Sequence, residues 1–230
     1  MERAAPRLFV LTDGSGSDGR PRIESTLNVA RACNSKPGAV FGRFKDRDFY
    51  RMILDCDVDP CVRIVNEIAE SLVAARIEIV VADSWQMYNP VHDVCSILAG
   101  LAASAAGIEE IEYPVVDTPV EREPRATFTL TDEALERKIR AAREYTQLKD
   151  DIDTVLARGV ESLRIESFYA PGSCRPLRDA KSGRPFYEVH GEERVAEHRY
   201  DTVLTLNDHV LPFVEKLARA TQPLRATTVA

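Results

Sequence analysis

The chain has 230 residues, of which 44% are hydrophobic and 29% charged, and a net charge of −7 at pH 7. This balance is typical of an ordinary globular protein. A chain of this length can bury a core without disulfide bonds or a structural metal ion. The acidic balance excludes broad nucleic-acid binding, which needs a basic surface. No stretch of the sequence approaches the roughly 20 apolar residues of a membrane-spanning helix.

The first half of the chain alternates between strand patterns and helix patterns. Strands are predicted at 7–12, 38–42, 77–82 and 111–117, and helices at 22–33, 58–75 and 90–106. Such alternation predicts a parallel sheet with helices on both faces. We therefore predict an α/β, doubly wound, Rossmann-like fold whose sheet is mostly parallel. Ligands of such sheets bind at the carboxyl ends of the strands, which here are 13–17, 42–45, 83–87 and 117–118.

The second half of the chain is less regular. Helices are predicted at 131–146, 148–158, 192–200 and 207–220, with a strand at 162–169 and a long loop at 170–187. We predict that residues 1–120 form the Rossmann-like core. Residues 121–230 are then expected to form an irregular C-terminal cover of the same domain, lying over the crevice.

The five cysteines are scattered along the chain and include no C-x-x-C pair. This pattern favours a protein that has no disulfide framework and resides in a reducing compartment. The first ten residues contain no long apolar stretch of the kind that a signal peptide needs. We therefore expect a cytoplasmic protein.

A glycine-rich loop follows the first strand and allows three interpretations. GSGSDG at 14–19 satisfies G-x-G-x-x-G, a pattern of pyrophosphate-binding loops, although Asp13 and Asp18 would repel a phosphate. D-x-S-x-S at 13–17 is similar to the metal-ion-dependent adhesion site of von Willebrand factor A-type domains, and its oxygen ligands suit Mg²⁺. The third interpretation is a tight turn in which Asp13 caps the backbone.

Longer segments of the sequence resemble one enzyme family. They are TDGSGSDGRPRIESTLNVARAC, GAVFGRFKDRDFY, VNEIAESLVAARIEIVVAD, YNPVHDVCSILAGLAASAAG and LTDEALERKIRAAREYTQ. In this order, over roughly residues 7–148, they resemble the PIG-L/LmbE-like zinc-dependent N-acetylglucosaminyl deacetylases. The resemblance implies a bacterial de-N-acylase that uses Zn²⁺ on a small, sugar-like substrate, with metal-bound water attacking an amide carbonyl.

The resemblance also implies which residues form the site. His92 matches the family's later metal-binding His, and its place in the first turn of a helix favours the neutral imidazole that binds metals. Tyr145 stands where the family has a His at the end of its late helix. Asp93, beside His92, is a candidate hydrogen-bond acceptor or a surface charge.

No stretch of the sequence matches the family's early His-Pro-Asp-Asp segment, which supplies two metal ligands and the general base. One interpretation is a rebuilt site, in which Asp13 and Asp18 join His92 as metal ligands and Asp13 acts as ligand or base. The other is a catalytically inactive relative that binds a small molecule or a protein partner. The strand of that segment also has no counterpart, so we expect another strand, from this chain or a second one, to complete the sheet.

The sequence thus predicts a small-molecule substrate and no nucleic-acid or membrane partner. A homo-oligomer, or a second chain that completes the sheet, is also expected. The predicted catalytic residues are Asp13, Asp93 and Tyr145, and the predicted metal ligands are His92, Asp13 and Asp18. The predicted substrate-binding residues follow the strand ends: Ser15, Arg43, Trp85, Tyr88 and Asn89.

Overall fold

The structure is a computed structural model that describes residues 6–16 and 19–221. Its strands are β1 (Arg7–Thr12), β2 (Lys36–Phe44), β3 (Ile79–Asp83), β4 (Glu109–Tyr113), β5 (Ala126–Thr129) and β6 (Ile165–Phe168). Its helices are α1 (Ile23–Ala32), α2 (Asp46–Leu54), α3 (Asp59–Ala74), α4 (Pro90–Ala106), α5 (Asp132–Glu144), α6 (Lys149–Ala157), α7 (Phe186–Ala196) and α8 (Leu211–Thr221). A π-helical turn, Leu206–Val210, leads into α8.

The strands of the first half form two parallel pairs. β1 pairs with β2, and β3 pairs with β4 in an unbroken register from Ile79↔Glu109 to Asp83↔Tyr113. This arrangement confirms the predicted α/β class with parallel strands. Over the described residues, β1 and β3 each have a ladder partner on one edge only.

Two long helices, α3 and α4, form the platform under both strand pairs. They pack against each other, and α3 also contacts β2 while α4 contacts β3 and β4. Their apolar residues recur at helical spacing, which places one stripe of each helix in the core. The largest members of this core lie on α2, α3, α4 and α8, and they include Phe49, Ile53, Ile64, Leu98, Phe213 and Leu217.

The second half of the chain attaches to the outer edge of β4. The backbone groups of Glu112 and Tyr169 exchange two hydrogen bonds of 2.8 Å, and β6 continues into an antiparallel pair with β5. The buried carboxylate of Glu112 accepts further bonds from the Ser96 hydroxyl and the Gly172 amide. These contacts fix the loop after β6 against the parallel pair.

Three elements of the structure differ from the sequence prediction. The polar stretch after β2 is the helix α2, whose only fully buried side chains are Phe49 and Ile53, so its apolar stripe is too narrow to stand out. Helix α7 begins at Phe186, not at 192, because Pro185 precedes its first turn. The short strand β5 was not predicted. No described helix has the length and apolar character that a membrane crossing requires.

Candidate functional site

The candidate site lies where β2 and β3 end. Asp46 opens α2 directly after β2, Asp83 is the last residue of β3, and His92 lies in the first turn of α4. Asp83 Oδ2 is 2.5 Å from His92 Nδ1. The charge of Asp46 also acts on His92, which brings the start of α2 within electrostatic reach of the pair.

The pairing with Asp83 sets the state of the His92 ring. Because a carboxylate only accepts hydrogen bonds, Nδ1 carries the proton and Nε2 is left as an acceptor. Burial alone would lower the pKa of His92, but the hydrogen bond and charge of Asp83, with the charges of Asp93 and Asp46, raise that pKa above its ordinary value. The result is an oriented imidazole that takes up a proton more readily than a free histidine.

Asp93 shapes the loop that carries the site. Its Oδ1 accepts hydrogen bonds from the backbone amides of Gln86 at 2.9 Å and Met87 at 3.1 Å, and Met87 has a left-handed backbone with φ of 55°. The second oxygen, Oδ2, is buried and has no hydrogen-bond partner among the described residues. Burial raises the pKa of Asp93 to about 6 despite the two amides, which lower it.

Gln86 is a supporting residue that sequence reasoning missed. Its side chain is fully buried, and its Oε1 accepts from the amides of Val115 and Val116. Its Nε2 donates to the Val116 carbonyl and to the Thr118 hydroxyl. A lone Gln after a strand gives no sequence signal, because its role depends on a segment 30 residues away.

The glycine-rich loop binds the start of α2. Asp13 Oδ1 accepts from the Ser15 amide at 3.0 Å, and the Gly16 amide donates to Asp46 Oδ2 at 2.6 Å. Gly14 and Gly16 both have positive φ, and the Arg22 side chain lies within 3.4 Å of the Cβ that either would gain. This geometry is that of a tight turn capped by Asp13, with Asp46 as the acceptor for its backbone. Asp18 lies outside the described residues.

The other predicted site residues are dispersed. Tyr145 shares a 3.1 Å hydrogen bond with the Thr26 hydroxyl of α1, and Arg43 forms a 2.8 Å ion pair with Glu67 on the outer surface. Ser15 is buried, with its hydroxyl 3.4 Å from the Asp46 amide. Three residues lie on the loop that leads to His92: Trp85 packs against the core, Tyr88 stacks on Phe186, and Asn89 caps α4 through the Val91 amide.

The donor set does not fit a catalytic zinc site. Such a site needs three protein ligands, and the described part of the chain brings no three His, Cys, Asp or Glu side chains together as ligands. Asp83 already occupies Nδ1 of His92, while Asp13 is engaged in its own turn. The predicted role of Asp13 and Asp18 as metal ligands stays a prediction.

Comparisons with known proteins show a shared fold. No family model matches the chain, and neither does any curated protein. The conserved protein TT1542 from Thermus thermophilus is 17% identical, with a TM-score of 0.51 over 77% of this chain and 85% of that one. The antimicrobial reagent A40926 pseudoaglycone deacetylase Dbv21 is 16% identical, with a TM-score of 0.52 over 72% of this chain and 84% of that one. The chain therefore has the fold that a deacetylase also uses.

Proposed function

We propose that this chain is a deacetylase-like hydrolase, which cleaves the amide of a small, N-acylated, sugar-like substrate by proton transfer at the candidate site. The observation that carries the proposal is the pair of His92 and Asp83 at the carboxyl edge of a parallel sheet. Ligands of such sheets bind at this edge, and the fold similarity to a deacetylase supports the proposed class of reaction.

The pair supplies proton transfer. A water molecule held at His92 Nε2 loses a proton to the ring as its oxygen bonds to the amide carbonyl carbon. Asp83 stabilises the imidazolium that forms. The ring then gives the proton to the amide nitrogen as the carbon–nitrogen bond breaks, which releases a carboxylic acid and an amine. No step is assigned to zinc, because the described donors do not form a site for it.

Amine release tests the proposal. Purified protein is incubated with N-acetylglucosamine and its methyl glycoside, and new primary amine is measured with an amine-reactive dye. We expect His92→Ala to lower the rate at least about 100-fold, since general acid–base groups contribute about 10² to 10⁴ in rate. His198→Asn is the control, because His198 is exposed and its positive φ suits Asn. A wild-type rate in His92→Ala would overturn the proposal.

The shortage of metal donors favours a second candidate, an inactive relative that binds the same kind of molecule. Trp85 is the chain's only tryptophan and lies on the site loop, so its fluorescence reports binding there. Binding without amine release would support this candidate and contradict the hydrolase. Amine release is also measured after treatment with a chelator and after zinc is added back. Amine release that appears only with added zinc would overturn the metal-independent proton-transfer scheme.

A further inference from the structure

Three rings from two distant parts of the sequence form one column beside the candidate site. Tyr88, on the loop between β3 and α4, stacks on Phe186 with ring centroids 5.5 Å apart and planes 19° apart. Phe186 stacks on His190, one turn further along α7, at 5.8 Å and 10°. Both separations fall in the range of offset-stacked aromatic pairs.

The column lies at the surface. Tyr88 and Phe186 are 37% and 38% exposed, and the side chain of His190 is 38% exposed. Tyr88 and Phe186 therefore stay partly open to solvent although they stack on each other. Exposed rings that are already aligned with one another offer a flat, preformed surface to a further ring.

The orientation of the column is fixed at both ends. Arg194 Nε donates to His190 Nε2 at 3.1 Å, and this arginine is itself paired with Glu197. At the other end, Tyr88 lies between Met87, whose amide is bound by Asp93, and Asn89, which caps α4. The rings therefore hold their positions before any ligand arrives, which lowers the entropy cost of binding.

The column includes a residue of the loop that leads to the candidate site. Tyr88 is four residues from His92 and lies on the same anchored loop. On α7, Tyr187 follows Phe186, is buried, and lies close enough to Asp93 for their charges to interact. The first turn of α7 thus contacts the site loop through Phe186 at the surface, while the buried Tyr187 lies within electrostatic reach of Asp93.

The surroundings favour recognition of a ring over recognition of a charge. The ionic groups near the column are engaged with one another or with the column itself: Arg184 pairs with Glu192, Arg194 pairs with Glu197, and Glu193 lies 3.8 Å from Nδ1 of His190. What remains for a ligand is the exposed part of the three rings. A planar aromatic group gains most from such a surface, since it extends the stack by another offset pair.

We propose that Tyr88, Phe186 and His190 form a stacking subsite for a planar aromatic group of the substrate, next to the amide held at His92. This inference rests on the proposed function for the position of that amide. It adds a substrate class: N-acylated sugars that carry an aromatic substituent are bound in preference to those that carry a small aliphatic one.

Two probes that differ only in the substituent test the subsite. The phenyl and methyl glycosides of N-acetylglucosamine are titrated against the full chain, with binding followed by Trp85 fluorescence. We expect the phenyl glycoside to bind about tenfold more tightly, a difference of the size that one aromatic pair supplies. Phe186→Leu and Tyr88→Leu should each lower the affinity for the phenyl glycoside by more than the affinity for the methyl glycoside, which removes most of this preference.

Matched variants keep the test decisive. Phe128→Leu removes an exposed aromatic ring on β5 and should keep the preference, and Tyr88→Phe should keep it because the ring remains. Thermal unfolding of each variant shows whether a lost preference reflects a lost fold. Equal affinity of the two glycosides, or no binding of the phenyl glycoside, overturns the subsite. If amine is released but the two glycosides bind equally, the subsite is overturned and the proposed hydrolysis stands. If the phenyl glycoside binds more tightly but no amine is released, the proposed hydrolysis is overturned and the subsite stands.

Discussion

His92 is subject to opposing influences within a few ångströms. Its place in the first turn of α4 and its burial both disfavour the charged ring, whereas Asp83, Asp93 and Asp46 favour it. The carboxylates prevail, and the direct bond to Asp83 is the strongest of their contributions. The protonation of His92 therefore depends on one neighbour that mutation can remove.

Asp83→Asn should change the pH dependence of amide hydrolysis. Without the carboxylate the pKa of His92 falls, so the acid limb of kcat/KM moves to lower pH. The plateau value of kcat/KM should drop at least about tenfold. The Asn amide can donate to Nδ1 of His92 and so select the tautomer that carries its proton on Nε2, which cannot act as the base. Rates measured between pH 5 and 9 check both effects. An unchanged profile would show that Asp83 does not act through His92.

Asp93 should make folding less favourable at neutral pH. Its folded pKa, about 6, lies above its ordinary value of 3.8 because the group is buried. Its contribution to stability is therefore full below about pH 4, and it is lost as the pH rises through 6. Asp93→Asn keeps an acceptor for the two amides and should add on the order of 2 kcal/mol at pH 7.5, with little gain at pH 3.5.

Urea unfolding at the two pH values measures that difference. Asp93→Ala is the matched comparison, because it removes the charge together with the acceptor of the Gln86 and Met87 amides. We expect this variant to be less stable than Asp93→Asn at both pH values. A gain for Asp93→Asn that is the same at pH 3.5 and pH 7.5 would contradict an ionisation effect.

At the scale of elements, Gln86 links the site loop to the segment after β4. Gln86→Leu fills a similar volume but removes the partner that the Gln86 side chain supplies to four polar groups: the Val115 and Val116 amides, the Val116 carbonyl and the Thr118 hydroxyl. We expect a loss of about 2–4 kcal/mol in the free energy of unfolding. Gln147→Leu, at an exposed position, should change it by less than about 0.5 kcal/mol. Equal effects of the two substitutions would show that the buried bonds contribute nothing.

Sequence patterns predicted the elements that carry strong periodicity. The helices α3 and α4 were predicted within a residue or two of their bounds, because each carries a continuous apolar stripe. Asn89 and Thr131 are residue types that favour helix N-caps, and each accepts a hydrogen bond from the first turn of its helix. Helix α2 was missed because its buried face is two residues wide.

The candidate site was predictable only in part. Resemblance pointed to His92, and the end of β3 pointed to Asp83, but nothing local says that the two side chains meet. Their contact depends on the path of the loop at 84–89, which Asp93 and Gln86 hold through bonds to other segments. Contacts of this kind are tertiary and leave no period in the sequence.

At the scale of the whole molecule, the two strand pairs differ from a complete parallel sheet. Parallel sheets are normally covered on both faces. In β3 the side chains of Val80 and Ala82 face the core formed with α3 and α4, whereas Ile79 and Val81 are 50% and 48% exposed on the opposite face. The second edge of β3 also has no ladder partner in the part of the chain that the structure describes.

Adjacent substitutions on β3 test whether that face is open in solution. Val81→Thr places a hydroxyl on the exposed face and should change the free energy of unfolding by about 0.5 kcal/mol or less. Ala82→Thr places the same side chain on the buried face and should cost about 2 kcal/mol or more, through overpacking and a buried hydroxyl. Chemical unfolding of both variants measures the contrast. A cost for Val81→Thr that approaches the cost for Ala82→Thr would mean that another segment or chain covers β3. Sedimentation of the wild type beside Val81→Thr would then separate the two cases, since only a covering chain changes the mass of the particle.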